Sequence, residues 1–280
     1  MKPETILITG ASAGIGFATA HGLAEMGFRV VMLCRHAERS EAARFQIVQE
    51  TGNPDVHLVV ADLASLADIR RAAAEILDRF DRLHVLINNA GVVLPRRELT
   101  ADGFERTFAV NHLAYFLLTY LLLDRLRASA PARIVNVASN AHRRGRIDFD
   151  NLQGERRYAP YAIYAQSKLA NVLFTRTLAS RLEGSGVTAN ALHPGVVRTQ
   201  IAGTGFHPLA LAFRLFGAFY RSPRQGAETS IYLAASPDVE GVSGAYFVRK
   251  KATRAAPAAY DDTVAERLWR VSAERVGVEA

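Results

Sequence analysis

At 280 residues the chain is long enough for one large α/β domain and too short for two, so a single domain over residues 1–280 is expected. Hydrophobic residues make up 49% and charged residues 22%, with no stretch dominated by Gly, Pro or Ser, which excludes extensive disorder. The net charge of +7 suits an anionic partner, but arginine pairs such as Arg96-Arg97, Arg143-Arg144 and Arg156-Arg157 are scattered without a nucleic-acid signature. That charge is read as solvated surface, with no nucleic acid as partner.

Cys34 is the sole cysteine, so no intrachain disulfide forms. Met1 leads almost directly into an apolar strand, without a secretory n-region and h-region. A cytoplasmic location is therefore expected.

The first expected strand, residues 6–9, ends in Thr9-Gly10-Ala11-Ser12-Ala13-Gly14-Ile15-Gly16 and passes into a helix over 15–26. Free N–H groups and the helix dipole at such a turn favour a pyrophosphate, and glycines permit its close approach. Gly10, Ser12, Gly14, Ile15 and Gly16 are thus candidate dinucleotide-binding residues. The second strand, 29–33, ends in Leu33-Cys34-Arg35-His36. A carboxylate at this place holds the ribose hydroxyls of NAD, whereas a basic residue accommodates a 2′-phosphate. Arg35, with Arg39 one helical turn further, favours NADP(H).

Helices over 41–51, 66–80 and 103–127 then alternate with strands at 56–60, 85–88 and 133–138, the pattern of a parallel sheet covered on both faces. Asn111 lies in the third of these helices, and Ser139 follows the fifth strand at the edge where open α/β sheets bind ligands. A hydroxyl there can hold a substrate oxygen. The next helix, 164–182, opens with Tyr164-Ala165-Gln166-Ser167-Lys168, and residues four apart share one helical face. An ammonium about 5 Å from a phenol, at an effective dielectric of about 20, favours phenolate by roughly 3 kcal/mol, or about two pKa units. Tyr164 is therefore expected to titrate towards 8 from the ordinary value of about 10, the range needed for proton transfer to a carbonyl.

A strand over 188–192 follows. Residues 201–220 then break the rhythm with an apolar run that includes Phe206, Leu209, Phe213, Phe216 and Tyr220. It is too short and too interrupted to span a bilayer. The readings are a lid over a lipophilic substrate pocket, a helix packed on the core, or a peripheral membrane contact. A helix over 226–235, a strand over 245–247, a polar connection and an amphipathic stretch over 263–276 complete the chain, residues 249–280 forming a C-terminal extension. No metal site is expected.

Taken together, the Gly-rich loop, Asn88-Asn89-Ala90-Gly91, Asn111, Ser139 and Tyr164 with Lys168 resemble the classical short-chain dehydrogenase/reductase family from about residue 4 to residue 248. The resemblance implies a doubly wound (Rossmann) α/β fold with a seven-stranded parallel sheet, helices on both faces, and hydride transfer between nicotinamide and a carbonyl or alcohol carbon. It further implies that Asp62 and Leu63 contact the adenine and that Asn89, Ala90 and Gly91 line the cofactor. Pro194, Gly195 and Thr199 would hold the nicotinamide end. Tyr164 would be the acid/base and Lys168 would bind the ribose and tune Tyr164. Ser139 would position the carbonyl, and Asn111 would anchor a relay water.

Stretches such as Asn111-His112-Leu113-Ala114-Tyr115-Phe116-Leu117-Leu118-Thr119 and Ala191-Leu192-His193-Pro194-Gly195 are similar to the retinol-dehydrogenase-like group, which includes the catalytic domain of the WW-domain oxidoreductase. That group is typically NADP-dependent, and many of its members carry an N-terminal membrane anchor; none is expected here. It often has Ser-Ser where this chain has Ala138-Ser139. The helix pair 103–127 and 164–182 is the customary family dimer surface, so a homo-oligomer is expected, with a membrane-associated monomer as the alternative. Rival readings are a reductase of polar or polyketide-like ketones and a nucleotide-responsive binding protein on the same fold.

Overall fold

Strand sequences such as Thr5-Ile6-Leu7-Ile8-Thr9 are buried at every position, as strands with both faces covered must be. The computed structural model describes residues 3–195 and 221–280. Among them, one sheet has the order β3-β2-β1-β4-β5-β6-β7-β8. The strands are β1 (Thr5–Thr9), β2 (Arg29–Cys34), β3 (Val56–Val60), β4 (Val85–Asn88), β5 (Ala132–Val137), β6 (Val187–His193), β7 (Tyr246–Val248) and β8 (Lys251–Ala252). All neighbours through β7 run parallel, in registers such as Ile6 opposite both Val30 and Val85. The order reverses between β1 and β4, and ligands of doubly wound sheets bind outside the carboxyl ends of the strands at such a point.

The expected seven strands are thus joined by an eighth. β8 pairs antiparallel with β7, Val248 opposite Lys251, across a turn in which Arg249 and Lys250 both have positive φ, 51° and 64°. Two residues at positive φ match the twist of a tight hairpin. A two-residue strand carrying Lys and Ala has no apolar alternation by which to be read.

The helices are α1 (Gly14–Glu25), α2 (Ala37–Thr51), α3 (Leu66–Arg79), α4 (Arg106–Ala128), α5 (Pro160–Arg181), α6 (Pro223–Ala235) and α7 (Asp262–Val276). On one face of the sheet, side chains from α1, α2 and α6 pack on Ile6, Ile8, Val30 and Val135. On the other, α3, α4, α5 and α7 pack on Leu7, Val31, Leu86 and Ile134. α4 begins three residues later than expected. Glu105, fully buried, caps it by accepting from the N–H groups of Thr107 and Phe108 at 2.9 and 2.7 Å. Residues 109–113 form a π-helical turn inside α4 that contains Asn111.

α7 lies against α4 and α5. Trp269 meets Phe116 edge-on at 4.9 Å and stacks on Phe174 at 5.7 Å, and Ser272 bonds His112 of the π turn at 2.8 Å. α7 thus packs against the helix pair on which a family-type dimer was expected. Residues 201–220, read above as a lid, core helix or membrane contact, lie outside the described residues, as does Thr199.

Candidate active site

The turn between β1 and α1 is shaped by glycines that no other residue could replace. A Cβ on Gly16 would lie 2.2 Å from the Gly10 carbonyl oxygen and 2.5 Å from Asn89 Nδ2, and Gly10 itself has φ +67°. The absent side chains let the start of α1 close onto the loop after β4. Thr9 knits the two together: its hydroxyl accepts from the N–H groups of Asn89 and Ala90 at 2.8 and 3.0 Å, and its carbonyl accepts from Asn89 Nδ2 at 2.8 Å.

Above them, along the carboxyl edge of the sheet, runs a cleft of about 490 Å³. Gly10, Gly14, Ile15 and Gly16 line one end with Arg35 and Arg39, and Tyr164, Lys168 and Pro194 line the other. Asp62, Leu63, Asn89, Ala90 and Gly91 lie in the wall as well. An elongated cleft with free helix N–H groups and two arginines at one end fits a phosphorylated dinucleotide.

Of the remaining expected cofactor residues, Ser12 does not line the cleft; its hydroxyl and N–H both face the buried Cys34 thiol. Gly195, at φ +95°, lies beneath Arg221, whose Cδ would stand 2.5 Å from a Cβ there. Side chains that sequence patterning did not single out also border the cleft. Arg106, at the start of α4, approaches both Asp62 and Glu98 at 3.7 Å, and Val92 follows Gly91. Nothing local in the sequence marks Arg106, because it reaches the cleft only through the Glu105 cap that sets where α4 starts.

At the far end, Tyr164 projects from the first turns of α5, close to the Ser139 hydroxyl. Ser139 caps a short 3-10 turn over Asn140–Arg144, its Oγ accepting from the Ala141 N–H at 3.1 Å. His142 locks that turn. Its Nδ1 donates to the Ser139 carbonyl at 2.6 Å, and its Nε2 accepts from the Ala256 N–H at 3.0 Å. Lys168 is nearly fully buried, and its Nζ donates to the Val137 carbonyl at 2.9 Å and stands 5.8 Å from the centre of the Tyr164 ring.

The expected lowering of the Tyr164 pKa is not what the cleft produces. Burial raises it, the Ser139 hydrogen bond opposes the rise, and Tyr161 adds to it. Burial also depresses Lys168, to about 7. A lowering would require a fully charged ammonium beside the hydroxyl. In the structure Nζ lies near the ring, and desolvation penalises the charged form of both groups.

Asn111 lies behind the cleft wall, fully buried. Its Oδ1 accepts from the Val92 N–H at 2.8 Å, and its Nδ2 donates to the Val92 carbonyl at 2.9 Å and to Ser167 Oγ at 3.0 Å. Both amide protons are engaged, so the side chain props the loop after β4 against α5.

The comparisons with known proteins agree with this arrangement. A profile of the short chain dehydrogenase family matches residues 4–208. The chain is 49% identical over 292 residues to retinol dehydrogenase 14 of Mus musculus, spanning 99% of this chain and 87% of that protein. It is similar, at 33% identity and a TM-score of 0.80, to the crystal structure of an uncharacterised protein from Mycobacterium paratuberculosis, covering 99% of this chain and 95% of the other. The NADP complex of RhlG from Pseudomonas aeruginosa superposes with a TM-score of 0.71 at 27% identity, over 88% of this chain and 94% of that one. The chain belongs to the short-chain dehydrogenase family, in its retinol-dehydrogenase-like group, and is an oxidoreductase acting on alcohol or carbonyl groups with a nicotinamide cofactor.

Proposed function

We propose that the chain transfers a hydride between NADP(H) and the carbonyl or alcohol carbon of a lipophilic aldehyde, ketone or alcohol, retinoids being a leading class. The observation that carries this reading is Tyr164 in the wall of the dinucleotide cleft, with the Ser139 hydroxyl beside it and Lys168 behind it. Arg35 and Arg39 border the end of the cleft where a 2′-phosphate would lie. The name of the similar retinol dehydrogenase supports the substrate class.

In the reductive direction Ser139 holds the substrate oxygen against Tyr164. Bound nicotinamide would supply the hydride at the carbonyl carbon, and Tyr164 would give its proton to the oxygen and be left as phenolate. Lys168 binds the cofactor ribose and, when charged, stabilises that phenolate. Burial holds the resting Tyr164 in the neutral form, the form that donates a proton. In this proposal Asn111 supports the site by fixing the Val92 loop.

The test is cofactor oxidation followed by absorbance against short aldehydes, long-chain aldehydes, retinaldehyde and polar ketones, with NADPH and NADH in parallel. Turnover that rises with apolar length and depends on NADPH is expected. Preference for the polar ketones would overturn the substrate class, and equal use of NADH would overturn the cofactor preference.

A further inference from the structure

Lys168 carries a second aromatic neighbour besides Tyr164. Tyr115, fully buried in α4, presents its ring to the ammonium with Nζ 5.6 Å from the centroid, while its hydroxyl donates to the Ala90 carbonyl at 2.8 Å. Both rings lie within the distance, about 6 Å, at which the negative face of an aromatic attracts a cation. Only Tyr164 of the two lines the cleft. Burial, with the nearby Tyr164, holds the Tyr115 hydroxyl well above the ordinary tyrosine range, so it remains a neutral donor.

Taking the roles of Tyr164 and Lys168 as read above, we propose that Tyr115 is a positioning residue for the reaction: its ring face holds the Lys168 ammonium, and its hydroxyl fixes the Ala90 carbonyl of the cofactor loop. The reason lies in what surrounds Lys168. The titratable groups facing it are Tyr164 from its own helix and Tyr115 from α4. The β5 edge offers only the Val137 carbonyl, and the loop after β4 offers Gly91, whose Cβ, if present, would lie 3.5 Å from Nζ. Without a carboxylate partner, the charged form of this lysine depends on one carbonyl and two ring faces. One residue thus joins the proton-handling end of the cleft to the backbone that lines the cofactor, a link that requires both the ring and the hydroxyl.

The chain has four lysines, Lys2, Lys168, Lys250 and Lys251, so a protein labelled with carbon-13 at lysine Cε gives four resolvable titrations. The experiment compares the parent, Tyr115→Phe, and phenylalanines of increasing fluorination at position 115, which weaken the ring's negative face with little change in shape. The Lys168 midpoint is expected to stay in place in Tyr115→Phe and then fall along the fluorine series by about one pH unit in total. Because an ammonium with a lower midpoint loses its proton sooner as pH rises, the alkaline limb of the kcat profile should move to lower pH in step. Tyr115→Phe itself should weaken NADPH binding roughly three- to tenfold through loss of the Ala90 hydrogen bond. A Lys168 midpoint that is flat across the fluorine series would overturn the ring contact, and unchanged NADPH affinity in Tyr115→Phe would overturn the hydroxyl's part. A midpoint that falls while the kcat limb stays still supports the contact and counts instead against the role assigned to Lys168.

Discussion

Arg35 follows directly on β2, and its Nε lies 3.0 Å from His36 Nε2 while the side chain borders the cleft. A guanidinium so placed forms a charge-assisted pair with a 2′-phosphate and has no counterpart in NADH. Arg35→Ala is predicted to weaken NADPH by about tenfold or more and to leave NADH nearly unchanged, as read by fluorescence titration with both cofactors. Equal weakening of the two would place the arginine elsewhere. Lys168 makes a prediction of another kind. Its folded-state pKa of about 7 lies below the ordinary 10.5, so between these values the unfolded chain binds more protons than the folded one. The sign follows: the contribution of Lys168 to stability is full above the ordinary value and is lost as pH falls through that window towards 7. Lys168→Met, which has no charge to bury, should be more stable than the parent at pH 7, with the difference shrinking as pH rises towards 10. Denaturant melts of both proteins across that range check it.

At the scale of elements, the motifs read most directly from sequence are those whose chemistry is local. The Gly10-to-Gly16 turn and the Tyr164–Lys168 spacing each depend on one strand end or one helical turn, and both stand at the cleft as read. What stayed hidden depends on contacts across the sequence. The π turn at Asn111, the Glu105 cap that brings Arg106 to the wall, and the hold of His142 on the Ser139 turn through Ala256 involve partners that no periodicity reveals. α7 was visible as an amphipathic stretch, but not its place. Its apolar side buries Leu268, Trp269, Ala273 and Val276 on α4 and α5, and Arg181 covers the Trp269 ring at 4.3 Å. Trp269→Ala removes an indole held between Phe116 and Phe174 and is predicted to cost about 3–5 kcal/mol in chemical denaturation. A loss under about 1 kcal/mol would mean that α7 contributes little to the fold.

Across the whole molecule, the doubly wound sheet sets the site, because the strand order reverses beside β1 and every expected group that borders the cleft does so along the carboxyl edge. This much was legible because alternating apolar runs and helical patterns admit few topologies. The packing place of α7, against the pair α4 and α5, was not legible, because it rests on contacts between segments far apart in the chain. α7 is tied down at both ends: Arg181 meets Glu266 at 2.9 Å, and Arg70 of α3 donates to the carbonyls of Val276 and Gly277 at 2.6 and 3.1 Å. The C-terminal extension thereby acts on the site from two sides, through Ser272 on His112 next to Asn111, and through Ala256 on His142 next to Ser139.

The most direct measurement is rapid-mixing hydride transfer from NADPH to a reactive lipophilic aldehyde in the parent and in Tyr164→Phe, with cofactor affinity measured alongside. The predicted result is a fall in the transfer rate by a factor of about 10² or more with NADPH affinity nearly unchanged, because the substitution removes the proton donor and leaves the dinucleotide cradle intact. A near-normal transfer rate in Tyr164→Phe would contradict the assignment of Tyr164 as the acid/base.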